Sequence, residues 1–403
     1  MAVGLVAAGA GAGLGRDGRQ VVGPDAGEAR PYASPAAAEA ALQRFVRGVR
    51  DRDERALSAL APSGDGNAAA HLAGIARNAA VLDLVGVDAR YVDQVGTVAA
   101  DGSWTGAAEV SWRIHGFDPG PSRAAVVVSF RPDGDRLAVV GFGGASRAGS
   151  RTPLWLQGEL SVVRTPDTLV MADGSADGAR AVLGRVESGV DVVRRVLPDW
   201  DGRAVVEVPA SAAGLDRALG VQPGTYAGIA AVTAPVDGST APDASVHVFV
   251  NPDVTDRLRQ AGAQAVMSHE LVHLATDAVG RPVEPWLLEG FADYVALRDV
   301  ALPDRVILER AVRNVRRNGV PRALPDAADF GTRADDLQAS YEQASLAVRI
   351  MAERLGEERL VAVYVSARRG EGLADLLRSS GWSIGSLTRL WRTELSALAR
   401  GSA

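Results

Sequence analysis

The sequence predicts an α+β fold in two units. Three observations carry this. Two helix-period stretches come first, and a meander of strand-like runs follows them. A Gly/Ser/Pro-rich break then interrupts the chain at 143–153. Beyond it, a second set of short strands gives way to mostly helical sequence after about residue 254. At 403 residues, 47% of them hydrophobic, the chain is long and apolar enough to build more than one core.

Residues 1–34 form an N-terminal apolar segment and linker. The run MAVGLVAAGAGAGLG fits either the tail of a signal or anchor helix or a frayed terminus, because it is short and lacks a basic leading region. Gly13, Gly15 and Gly18 match G-x-G-x-x-G, but no strand precedes them and no helix follows, so the match is compositional. Residues 35–150 form the first unit. Ala41, Leu42, Phe45, Val46 and Val49 recur at helical spacing, and 66–82 gives another helical stretch. Strands follow at 85–92, 105–116, 123–131 and 136–142, the last two joined at Pro132-Asp133-Gly134-Asp135. Helices followed by a strand meander resemble the cone-shaped nuclear transport factor-like domain, which implies a ligand-binding or packing module.

Residues 154–403 form the second unit. Short strands are expected within 154–172, around 203–208, 226–233 and 245–250. A helix at about 175–196 carries Ala181, Val182, Val186, Val190 and Val193 on its apolar positions. Composition narrows the chemistry. All 43 basic residues are Arg, so no catalytic lysine, Schiff base or P-loop lysine exists. The absence of Cys removes thiol nucleophiles and Cys-based zinc sites. A net charge of −6 argues against a nucleic-acid partner held by phosphate neutralisation. Of the five His, His71 and His115 read as ordinary residues of the first unit.

The chemistry concentrates at His269-Glu270-Leu271-Val272-His273, an H-E-x-x-H pattern within an expected helix of about 256–278 that Gly280 and Pro282 close. On a helix, His269 and His273 lie about 40° apart on one face, one turn from each other, where two imidazoles can share a metal. Glu270 is about 100° round, placed to take a proton from an attacking water. With so few His, chance produces the pattern roughly 0.003 times in a chain of this composition. Sixteen residues beyond His273, Glu289 offers a third ligand on a new helix that Pro285 opens. Asp293, four residues on, shares its face and can accept the outer N–H of a ligating His.

H-E-L-V-H followed by P-W-L-L-E-G-F-A-D-Y resembles the gluzincins, and within them the MA-like metallopeptidases. The resemblance covers roughly 155–398, including Tyr341-Glu342-Gln343-Ala344-Ser345 and the closing S-G-W-S-I-G-S-L-T-R-L-W. It implies a zincin-like fold and hydrolysis of a peptide or protein substrate with Zn²⁺. It also implies an extended peptide laid against an edge strand, matched here by Val246–Val250, with His247 as a candidate contact. Tyr341 is the candidate oxyanion donor, the alternative being a buried Tyr that holds helices together. Tyr294 turns away from Glu289. The serine-elbow pattern at Gly381–Gly385 reads as a turn and helix cap, since every His lies upstream of it. The alternative function is a catalytically silent zincin scaffold whose first unit binds a ligand or protein. Localisation is expected to be extracytoplasmic, membrane-anchored through the N-terminus or secreted, the alternative being cytoplasmic.

Overall fold

A computed structural model describes residues 32–144, 147–300 and 303–401. The N-terminal apolar run and the glycine motif at 13–18 lie outside the described residues. The fold is α+β, as the sequence predicts. The first unit opens with α1 (Pro35–Asp51), α2 (Glu54–Ser58) and α3 (Gly66–Val81). Ser34, Asp53 and Asp65 cap these three helices through their side-chain oxygens. An antiparallel sheet follows in the order β1 (Leu84–Val95), β2 (Trp104–Ile114), β3 (Ser122–Asp133), β4 (Arg136–Phe142). Gly134, at φ 61°, makes the tight turn between the last two strands. The helices cover one face of this sheet, and Phe45, Leu72, Ile75, Trp112 and Phe130 fill the space between them.

The second unit builds on a five-stranded mixed sheet. In chain order come β5 (Ser161–Arg164), β6 (Thr168–Ala172), α4 (Ala176–Arg194), β7 (Ala204–Val208), α5 (Ala212–Leu219), β8 (Ala231–Pro235) and β9 (Val246–Val250). The spatial order is β5-β6-β7-β9-β8, parallel in the middle and antiparallel at both ends. Val246–Val250 is therefore an interior strand, and the sequence expectation that it forms the edge is corrected. The edge is β8. Both segments are short and apolar, and only the crossover that slots the later strand beside β7 decides which lies outside.

Side chains on this sheet alternate between two cores. Leu169, Met171, Val205 and Phe249 point into the first unit's core, while Val170, Ala172, Val206, Val248 and Val250 point into the helical layer. The first unit, together with α5, thus covers one face of the second sheet, and the two cores do not divide at the glycine-rich break. The connecting segment is fixed from the first unit. Asn78, fully buried on α3, donates to the Trp155 and Gly158 carbonyls and accepts from Leu160 N–H.

His247 lies on the face turned to the first unit, 1% exposed, and not at the candidate site. Its Nδ1 is 2.7 Å from Glu207 on β7, and its Nε2 is 2.9 Å from Asp118 in the β2–β3 loop. Burial would depress the imidazolium, but the bonds to Asp118 and Glu207 outweigh it and raise the pKa to about 9.

The remaining helices stack on the sheet's other face. They are α6 (Pro252–Thr255), α7 (Gln260–Ala275), α8 (Pro285–Leu297), α9 (Asp304–Ile307), α10 (Glu309–Asn318), α11 (Leu337–Leu355), α12 (Glu357–Arg368), α13 (Leu373–Ser379) and α14 (Ile384–Arg400). Helix α8 runs through the middle of this layer, its Trp286, Leu287, Phe291 and Val295 buried. It meets α11 at very close range, because Gly290 leaves no room for a Cβ against the Ala344 carbonyl. None of the described helices is long and apolar enough to cross a membrane.

Two outcomes follow. His247 contributes stability in full below its ordinary pKa of 6.5 and loses it as pH rises through about 9. Urea midpoints of the wild type should fall across that window, and His247→Gln should be less stable at pH 6 with the slope removed. Gly290→Ala should cost about 1–3 kcal/mol by forcing α8 and α11 apart, measured by the same unfolding titration.

Candidate metal centre

Helix α7 carries both histidines, and its end is firmly made. Asp277 adopts a left-handed φ of 45°, which lets Ala278 N–H reach back to the His273 carbonyl at 3.0 Å. Thr276 bonds the Val272 carbonyl, and Arg368 reaches from α12 to the Thr276 carbonyl. Behind α7, Leu271 packs so tightly on α4 that Gly189 has no space for a side chain. The next helix starts at Pro285 as the sequence predicts, and its first turns present Glu289 and Asp293.

The structure brings His269, His273 and Glu289 together. Their facing atoms form a triangle: His269 Nε2 to His273 Nε2 at 3.1 Å, His269 Nε2 to Glu289 Oε2 at 3.2 Å, and His273 Nε2 to the same oxygen at 3.4 Å. Tetrahedral bonds of about 2.0–2.2 Å would separate donors by about 3.3–3.6 Å, so the triangle is already near the spacing that one small divalent ion requires. These three residues form the group able to hold a metal ion among the described residues. Two faces of such an ion would be walled by imidazole rings set at 79° to each other.

Asp293 sits where the sequence places it, its Oδ1 2.8 Å from His269 Nδ1. That bond takes up the Nδ1–H and leaves Nε2 free to ligate. Burial would depress the His269 imidazolium, but hydrogen bonds to Asp293 and Glu289 hold its pKa well above the ordinary value. Burial would raise the Glu289 carboxyl, yet the neighbouring imidazoles pull it far below the usual range.

Glu270 is 7% exposed and borders two cavities, one of about 310 Å³ lined by both histidines and one of about 270 Å³ lined by His269 and Asp293. Its carboxylate accepts a bond from Thr233 on β8, 2.7 Å away. Tyr341, on α11, borders both cavities and meets the His269 ring edge-on at 5.9 Å. Burial, with the negative charges of Glu289, Glu270 and Asp293, keeps its hydroxyl protonated far beyond the normal range, so it remains a donor. Tyr294 faces elsewhere and donates to Glu357. Ser383 caps α14 by accepting from Ser386 N–H, as the turn reading predicts. Thr233 was not singled out by the sequence, where a β-branched residue in a strand carries no signal beyond strand propensity.

Asp293→Ala should weaken metal binding by about 10–100-fold without abolishing it, read by chelator competition with a divalent probe ion. An unchanged affinity would reduce Asp293 to an ordinary surface acid. No family model matches the chain and no curated protein matches its sequence, so the functional reading rests on the geometry of this site.

Proposed function

We propose that the protein is a zinc-dependent peptidase, with Zn²⁺ held by His269, His273 and Glu289. The observation that carries this is the triangle of donor atoms at 3.1–3.4 Å with the Glu270 carboxylate beside it and an open sheet edge running past. Two neutral imidazoles and one carboxylate make a donor set that suits zinc and leaves a fourth position for chemistry. When bound, the ion polarises a carbonyl oxygen and acidifies water.

The chain's own groups account for the rest. Glu270 takes the proton of the attacking water and passes it to the leaving amine. Tyr341 donates its hydroxyl hydrogen to the carbonyl oxygen as negative charge develops there. Asp293 keeps His269 in one tautomer and one orientation. Strand β8 supplies the backbone groups for an extended substrate. At the two ends of its pairing with β9, Val236 N–H donates to the Ser245 carbonyl and Asn251 N–H donates to the Ala230 carbonyl. Alternation along an antiparallel pair therefore turns the backbone groups of Ala231 and Thr233 outward, toward the open edge. Ala231 and Thr233 also border the cavity that holds His269 and His273, so a peptide paired there would lie across the site.

Glu270→Gln separates binding from chemistry. The variant should keep near-stoichiometric zinc by elemental analysis and lose at least ~10²-fold in cleavage of denatured casein. Normal cleavage by the variant, or a wild type that takes up no zinc, would reject the assignment.

A further inference from the structure

The geometry points to Thr233 as the positioning residue for Glu270, an inference that rests on the peptidase reading above. Thr233 Oγ1 lies 2.7 Å from Glu270 Oε2 and 3.1 Å from the Glu270 carbonyl oxygen. A hydroxyl has one hydrogen to give, and the nearer, charged acceptor takes it. Among the described residues no other side chain bonds this carboxylate. Without Thr233, Glu270 would have three rotatable bonds and nothing to choose among its rotamers except packing.

The placement of Thr233 gives that single bond its weight. It is the middle residue of β8, paired with Val248 on β9, so its side chain points to the sheet face on which α7 lies. Its β-branched side chain has a restricted χ1, and its backbone is fixed by the sheet rather than by the helix that carries Glu270. The same residue turns its own N–H and C=O to the open edge. One residue therefore holds the base through its side chain and would meet the substrate backbone through its main chain. The distance from base to scissile carbonyl is then set by the width of a single residue, and does not depend on how α7 and a docked peptide happen to align. A misplacement of about 1 Å at such a point can cost ~10²-fold in rate.

A purely structural role for Thr233 makes the opposite forecast from a positioning role. Thr233→Val keeps the shape and the branched Cβ but removes the hydroxyl. Thr233→Ser keeps the hydroxyl but removes the methyl. With the full-length, zinc-loaded protein and denatured casein as probe, Thr233→Val should lower kcat by about 10–100-fold with KM within about two-fold, and Thr233→Ser should recover most of the loss. Zinc content should be unchanged in both. In crystal structures of the zinc-loaded variants, the Glu270 carboxylate should be displaced or split over rotamers in Thr233→Val and in place in Thr233→Ser. A carboxylate that stays put in Thr233→Val, or a serine variant worse than the valine variant, overturns the proposal. The Glu270→Gln control keeps the two readings apart. If that variant cleaves casein like the wild type while Thr233→Val still displaces the carboxylate, the contact is real and the assignment of Glu270 as the base is what fails.

Discussion

Both faces of the second sheet are buried, and the rest of the molecule is arranged around that constraint. A sheet with two covered faces must send alternate side chains into two separate cores, and β6 does so residue by residue: Leu169 and Met171 to one side, Val170 and Ala172 to the other. The first unit is thereby drawn onto one face as a cover layer. Helix α4 and the helices that follow β9 occupy the other, which places α7 against β8 and brings Thr233 to Glu270. Only the sheet's edges stay open, and the site lies at one of them.

Three of the five histidines are buried or nearly so, and each is held by carboxylates. The difference between them lies in how many ring nitrogens are used. His247 has both nitrogens closed by acids, so it serves as a charged bolt between the units. His269 has one nitrogen closed by Asp293 and the other turned to His273 and Glu289. Two acids at opposite nitrogens make a structural pair. One acid behind and ligand atoms facing one another in front make a cluster able to hold a metal ion.

Much of this was legible in the sequence, because the relevant signals are local. Helix periodicity, side-chain caps and Pro285 mark the elements, and i, i+4 spacing alone puts His269 beside His273 and Glu289 beside Asp293. The signals that failed are long-range. Asp118 and His247 are 129 residues apart and meet only through the packing of the first unit on the sheet. Strands β8 and β9 cannot be ordered from composition, since either satisfies the same apolar pattern, and the fold puts β8 rather than β9 at the edge. Thr233 was invisible for the same reason: its role exists only once β8 is known to lie outermost and against α7.

The open edge of β8 is also a hazard. An unpaired strand edge can recruit the same edge of another molecule as readily as it recruits a substrate. Here the strand ends at Pro235, whose backbone would face outward but has no N–H to donate. That leaves two residues, Ala231 and Thr233, with a full set of outward groups. In the proposed reading two residues suffice to guide a peptide that the cavity walls also contact, whereas they offer a short ladder for pairing two copies of this chain. Pro235 thus shortens the ladder that a second copy could pair with, while the edge stays open at Ala231 and Thr233 beside the histidine cluster.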